Sequence, residues 1–230
     1  MGRSRGNESR GKLLVVEGAE GAGKSTLVRR IGDELARAGR SHLECREPGG
    51  TPVGDRIRDV VLHSMHMTPR AEAALFMASR AELVATVVVP ALEKGTIVTL
   101  DRFFLSTYAY QIHGRGLPEP DVRNANSFAT GGLVPDLTVL LHVPFDEGLR
   151  RADVRGSLDR MESSGDDFHR RVQDAFELFA TSHWQRAHPE CGPIVGVEGT
   201  GTEEQVWSRV LDVLAERLPD TFALAGRHRR

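Results

Sequence analysis

"KLLVVEGAEGAGKSTL", residues 12 to 27, decides the fold. A continuously apolar run ends in a glycine-rich turn that opens into helical spacing, and Gly18 to Ser25 match G-x-x-x-x-G-K-[ST] in that strand-to-helix context. The glycines let backbone N–H groups converge on phosphate oxygens, and the following helix turns its positive end toward them. The cradle predicted to hold a nucleoside triphosphate is Gly18, Ala19, Glu20, Gly21, Ala22, Gly23, Lys24, Ser25 and Thr26. Lys24 is expected to reach the β- and γ-phosphates, with Ser25 on Mg2+. A plain connecting turn would explain the glycines and leave Lys24 unexplained. Glu20 is the anomaly, a carboxylate inside a loop built for polyanions.

Four further apolar runs follow: "SHLECR" (41–46), "GTIVTLD" (95–101), "DLTVLLHV" (136–143) and "GPIVGVEG" (192–199). Short apolar runs separated by helix-sized segments predict an α/β fold, with a five-stranded parallel sheet covered by helices on both faces. "STLVRRIGDELARAG" reads as a helix ending at Gly39, and residues 69–95 as a long helix broken or kinked near Pro90. A last helix opens at a cap on Thr202. Residues 150–171 are poor in apolar side chains and read as a mobile excursion, with a lid at about 150–165. One domain over 12–217 is expected, between a disordered tail at 1–11 and a C-terminal tail at 218–230.

The 230 residues are 40% hydrophobic and 27% charged, with a formal net charge of -2. Nothing in that balance points to nucleic acid or to an acidic membrane surface, so any basic function is local. No uninterrupted apolar run approaches a membrane span, and the first twelve residues lack the apolar core of a secretory signal. Cys45 and Cys191 show no paired spacing and read as ordinary thiols of a reducing cytoplasm.

Other candidates sit where open α/β sheets place their ligands, at strand carboxyl ends. Asp101 and Arg102 of "DRF" end the third run and put a metal-competent carboxylate and a fixed cation there, although an ion pair capping the next helix fits too. Arg46 and Glu47 flank a turn forced by Pro48, Gly49 and Gly50. Phe76 and Arg80 lie four residues apart on one helical face. On composition they read as core and surface, and side by side they also suit a flat heterocycle, stacked by one and hydrogen-bonded by the other. The excursion carries Arg150, Arg151, Arg155 and Arg160, either a solvated helix face or cations for a transferred phosphoryl group that the arginine-free P-loop does not supply.

Taken together and in order, "EGAEGAGKST", "REPGGTPVGDRIR", "LFMASRAEL", "DRFFLSTYAYQ", "NSFATGGLVPDLTVLLHVP" and "RGSLDRMES" closely resemble the thymidylate kinase family over about residues 12–217. The resemblance implies a P-loop NTPase three-layer α/β/α sandwich with a mobile lid, transferring a phosphoryl group from MgATP to dTMP, usually as a homodimer. It implies that Phe76 stacks on thymine, Arg80 hydrogen-bonds its edge, and Arg102 holds the acceptor phosphate. Ser106, Thr107, Tyr110 and Gln111 would line the acceptor pocket, with Tyr110 helping to refuse a ribose 2′-hydroxyl. Glu20 would turn to the sugar 3′-hydroxyl. The sequence is similar to the type that supplies its catalytic arginine from the lid, with Arg151, Arg155 and Arg160 as candidates. Two positions depart from the pattern: His142 stands where the family often has aspartate, and Phe103 where tyrosine or histidine is usual. Two rival functions are a related kinase acting on another nucleotide or a specialised metabolite, and a P-loop regulatory protein.

Overall fold

The computed structural model describes residues 10–153, 160–161 and 164–222. Its apolar runs become β1 (Leu13–Gly18), β2 (His42–Arg46), β3 (Ile97–Asp101), β4 (Leu137–His142) and β5 (Ile194–Glu198). They pair in parallel in the order β2-β3-β1-β4-β5. β1 is buried along its whole length, and its alternating side chains feed two separate cores, Leu13 and Val15 on one face and Leu14 and Val16 on the other. That two-sided burial is why the run carries almost no polar residue.

The helical segments are α1 (Lys24–Arg37), α2 (Pro52–His63), α3 (Pro69–Leu83), α4 (Val89–Glu93), α5 (Phe104–Thr107), α6 (Glu119–Thr130), α7 (Phe145–Asp153), α8 (Asp166–Phe179), α9 (Ser182–Ala187), α10 (Glu203–Arg217) and α11 (Pro219–Phe222). Leu27, Ile31 and Leu35 of α1 and Trp207, Val210 and Leu214 of α10 close one core. Leu83, Leu105, Phe176 and Phe179 close the other. The Thr202 side chain accepts from the Gln205 amide while the Gln205 side chain accepts from the Thr202 amide, so the expected cap on α10 is a reciprocal capping box.

Residues Pro69–Glu93 run as one helical path of 25 residues, long and apolar enough by length and composition to cross a membrane. Glu72, Ser79, Arg80, Leu83, Val88 and Leu92 along it are buried against the rest of the fold, and three of them are polar or charged. Its break falls where Pro90 lacks an N–H and crowds the preceding turn: Val84–Val88 widen into a π-helical turn, and α4 restarts with Pro90 in its first turn. Gly11 already donates to the Leu92 carbonyl at 2.8 Å, and Phe222 of α11 is buried in the α1–α10 core, because an apolar aromatic beside an open core face docks rather than frays. Residues 1–9 and 223–230 lie outside the described residues.

From β1 the chain crosses one way to β2, and from β3 it crosses the other way to β4. The two connections thus leave the neighbouring strands β1 and β3 in opposite directions, each passing over the other strand, and register places Val16 opposite Asp101 there. The crevice at the carboxyl ends of those two strands holds the site.

Candidate active site

The P-loop is built on close backbone approach. Gly21 has φ 70°, and a Cβ there would lie 2.0 Å from the Gly148 carbonyl oxygen; a Cβ on Gly148 would lie 2.7 Å from the Glu20 carbonyl oxygen. Two facing glycines thus let α7 lie directly against the loop. Lys24 is buried and donates to the Gly18 and Ala19 carbonyls at 3.0 and 2.7 Å. Burial first, and the Arg102 charge second, lower its pKa to about 8, against the opposing pull of Glu20, Asp101 and Glu17. The Ser25 hydroxyl donates to Asp101 Oδ2, while Asp101 Oδ1 is buried without a partner. A hydroxyl beside an orphaned carboxylate oxygen fits a hard divalent cation that takes its other ligands from phosphates and water. Among the described residues no group of three or more His, Cys, Asp or Glu side chains could hold a metal by itself.

Arg102 has φ 71°, the left-handed region, where a non-glycine residue costs on the order of 1 kcal/mol. The turn is held by Glu17, fully buried on β1, which accepts from the backbone N–H groups of Phe103 at 2.7 Å and Ser106 at 3.0 Å and from the Ser106 hydroxyl at 2.6 Å. That carboxylate caps the start of α5 and aims Arg102 back across the P-loop. The guanidinium donates to Ser106 Oγ at 3.0 Å and pairs with Glu20, and its carbon lies 5.3 Å from the Tyr110 ring centre. Burial alone would lower the Arg102 pKa, but Tyr110, Glu20, Asp101 and Glu17 reverse this and hold it above the usual arginine value. The Tyr110 hydroxyl donates to Glu20 at 3.0 Å, and burial pushes its pKa up. Glu20 therefore turns its carboxylate toward Arg102 and Tyr110.

Glu17 was not legible as a site residue, because it closes an otherwise apolar run. Arg80, by contrast, is not the surface residue that composition suggested, being 1% exposed. Its Nε donates to Glu47 at 2.7 Å, its Nη2 to Glu47 and to the Phe103 carbonyl, and its Nη1 to Asn126. Five N–H groups set against these four bonds leave one on Nη1. The Phe103 ring centre lies 4.9 Å from the guanidinium carbon, so this departure from the family pattern packs under Arg80. Burial raises the Glu47 pKa against the pull of Arg80. The Ser79 hydroxyl accepts from the Gly49 amide at 3.0 Å and ties the Pro48–Gly49–Gly50 turn to α3. Arg46 is more exposed, 3.9 Å from Asp55.

A cleft of about 540 Å3 joins these parts. It is lined by Glu20, Gly21, Gly23, Lys24, Ser25 and Thr26 of the loop and by Arg46, Glu47, Phe76, Arg80, Asp101, Arg102, Ser106, Thr107, Tyr110 and Gln111. Gly18, Ala19 and Ala22 stay in the loop's frame rather than its lining. The three lid candidates separate. Arg151, one turn beyond Gly148 on α7, lines the cleft and donates to Glu147 at 2.9 Å and to the Gly199 carbonyl at 3.1 Å. Arg160 is tied down by Glu72 at 2.7 Å and by the Val61 carbonyl at 2.8 Å, and it does not line the cleft. Arg155 lies outside the described residues.

A second recess of about 390 Å3 shares Gly23, Thr26 and Arg151 with the cleft and is closed by Arg30, Gly199, Gly201 and Trp207. The sequence reading passed over it, although "GTGT" (199–202) after a strand marks a second open turn at the same sheet edge. The His142 ring packs across β5, where a Cβ on Gly196 would lie 2.8 Å from its Nε2, and it lines neither recess. Burial first lowers its pKa, against Glu177 and Glu198.

Comparison with known proteins agrees with this geometry. A model of the family described as "Thymidylate kinase" matches residues 16–188, from β1 to beyond α9. A thymidylate kinase of Synechococcus sp. (strain JA-2-3B'a(2-13)) is 42% identical over 215 residues, covering 94% of this chain and 98% of the relative. One of Deinococcus radiodurans is 41% identical over 210 residues, covering 91% and 98%. One of Pseudomonas fluorescens is 46% identical over 178 residues, covering 76% and 85%. With the P-loop, the Asp101–Arg102 turn and the Phe76–Arg80 face meeting in one crevice, and with these matches spanning nearly the whole chain, the protein belongs to the thymidylate kinase family.

Proposed function

We propose that this chain transfers the γ-phosphoryl group of ATP to the 5′-phosphate of dTMP, giving ADP and dTDP for DNA synthesis. The observation that carries the reading is Arg102, which stands between the P-loop and the Phe76–Arg80 wall and is held by Glu20, Ser106 and Tyr110. Lys24 and the loop amides would bind the donor phosphates. Arg102 would hold an acceptor phosphate oxygen in line with the γ-phosphorus. A bond forms between that oxygen and phosphorus, the bond to the β–γ bridging oxygen breaks, and its electron pair leaves on ADP. The acceptor is already anionic, so the chain needs no strong general base; it supplies position and positive charge. Ser25 and Asp101 are the side chains that would hold Mg2+, which when bound neutralises charge on the β- and γ-phosphates.

Phe76 would stack on thymine, with the free Nη1 proton of Arg80 and the side chains of Thr107 and Gln111 at its edge, and Tyr110 against the sugar. Arg46 and Glu47 would frame the acceptor side, Glu47 by orienting Arg80. Ala19, Ala22 and the glycines would give backbone contacts to the donor. We take the unit to be one kinase domain over 12–217 with a lid near 150–165, a homodimer in solution and a cytoplasmic protein; the support is family resemblance, with the free, buried state of Cys45 and Cys191 for the last. A related kinase with a different acceptor, or a P-loop regulator, is separated by the following assay. ADP release from MgATP is measured with dTMP, dUMP, UMP, CMP and AMP, and dTMP should give the highest kcat/KM. Activity with AMP and none with dTMP would overturn the substrate.

Two substitutions refine the roles. Glu20→Ala should raise KM for dTMP about tenfold, the weight of one charge-assisted hydrogen bond, while KM for ATP changes less than about twofold. The reverse ranking in steady-state kinetics would misplace the carboxylate. Among Arg151→Ala, Arg155→Ala and Arg160→Ala, the variant lacking the transition-state cation should lose about 100-fold in kcat with little change in KM for dTMP. Equal kcat in all three would remove the lid arginines from the chemistry.

A further inference from the structure

Glu72 is a fully buried carboxylate on α3 that does not itself line the cleft. It lies four residues before Phe76 and eight before Arg80, on the face of α3 that those residues share. Gln111 Nε2 donates to its Oε1 at 2.9 Å, Arg115 reaches it from Nε at 3.2 Å and from Nη2 at 3.1 Å, and Arg160 Nη1 donates to Oε2 at 2.7 Å. Arg160 and Arg115 are held independently as well, Arg160 by the Val61 carbonyl and Arg115 by Ser164 and by the face of Phe168. The one partner without a second anchor of that kind is Gln111.

An ionised carboxylate accepts and never donates, so it can face only the NH2 end of the glutamine amide. That fixes which way the amide points, an assignment resting on the hydrogen-bond network rather than on the shape of the side chain. Among the described residues, Gln111 Oε1 accepts from no protein donor and is not one of the sealed polar atoms, and Gln111 lines the cleft. The amide therefore presents a hydrogen-bond acceptor to the space beside Phe76.

We infer that Glu72 is a specificity-positioning residue, which locks the Gln111 amide so that its carbonyl oxygen selects a base carrying a ring N3–H. The inference rests on the proposed placement of the acceptor base against Phe76 and Arg80. Thymine and uracil carry that N3–H, whereas cytosine carries a lone pair there, which would meet the Gln111 oxygen repulsively. If Glu72 lost its grip, Gln111 could turn over and offer its NH2 group, and the penalty against cytosine would fall. Selection between thymine and uracil depends on the methyl group, which Gln111 does not read.

The test uses Glu72→Gln and Glu72→Asp in the full chain. The first removes the constraint that only a donor may face it; the second keeps the charge for Arg115 and Arg160 and withdraws the oxygen from Gln111, so it carries the test should Glu72→Gln fail to fold. For each, kcat/KM is measured with dTMP, dUMP and dCMP. The dTMP-to-dCMP ratio should fall about tenfold, the scale of one hydrogen bond, while the dTMP-to-dUMP ratio stays within about twofold. In a Gln111→Met background the same substitutions should leave the dTMP-to-dCMP ratio unchanged. An equal loss with all three acceptors would make Glu72 merely structural and overturn the inference, as would an unchanged dTMP-to-dCMP ratio in Glu72→Asp. Failure of the underlying reading looks different, since the unsubstituted protein would then show no preference for dTMP over dCMP.

Discussion

Methionine in place of Lys24 is expected to lower kcat by about three orders of magnitude while moving Tm by less than about 3 °C. The side chain is almost as long and as easily buried, so the packing beneath the P-loop survives. What disappears is a buried ammonium whose protein partners are two backbone carbonyls, Gly18 and Ala19, with no carboxylate bonded to it. A cation in that condition is poised for an anion, because its burial is uncompensated by a salt bridge. The same burial gives a pH signature. With its pKa lowered to about 8, Lys24 is protonated at pH 7 and becomes neutral as pH rises through 8. Hence kcat/KM for MgATP, which reports the free enzyme, should fall above pH 8 by up to about tenfold per unit. A flat profile between pH 7 and 9.5 would show that Lys24 does not carry the donor contact.

Arg102→Met should cost about 100- to 1,000-fold in kcat and also raise KM for dTMP. Two features make this site unforgiving. The guanidinium is fixed by Glu20 and Ser106 from two different segments, and the backbone that aims it sits at a positive φ held by Glu17. Arg102→Lys should recover less than about a tenth of the lost activity, since an ammonium cannot span Glu20, Ser106 and a phosphate oxygen in one plane. Recovery by lysine to near the original kcat would mean that Arg102 acts as a diffuse charge and not as an oriented fork. Stopped-flow or coupled assays of ADP release separate the outcomes.

The parts of this fold that were legible in the sequence are those whose physics is local. A strand buried on both faces must be apolar throughout, so the inner strands β1, β3 and β4 stand out within a residue or two of their ends, and the half-exposed edge strands β2 and β5 carry polar residues among their apolar ones. Capping at Thr202 and the break ahead of Pro90 follow from single-residue chemistry. The order β2-β3-β1-β4-β5 is not local, and neither is the pairing of Gly21 with Gly148 that brings Arg151 to the cleft. Each glycine alone looks like an ordinary turn or helix residue. The positioning carboxylates were the least legible. Glu17 holds the Phe103 amide and so the turn of Arg102, Glu47 holds Arg80 and Glu72 holds Gln111, yet a buried charge is meaningful only through partners distant in sequence, 86, 33 and 39 residues away. Arg80 shows the same limit from the other side, because an arginine reads as exposed until the carboxylate and carbonyl that bury it are known.

The central claim is that one crevice holds two nucleotides and passes a phosphoryl group between them. ATP labelled at its γ-phosphate, incubated with the protein, Mg2+ and dTMP, tests it in a single reaction. The account predicts that the label appears as the β-phosphate of dTDP, that free phosphate stays near background, and that ADP release stops when dTMP is left out. Label released as inorganic phosphate at the same rate with and without dTMP would contradict it.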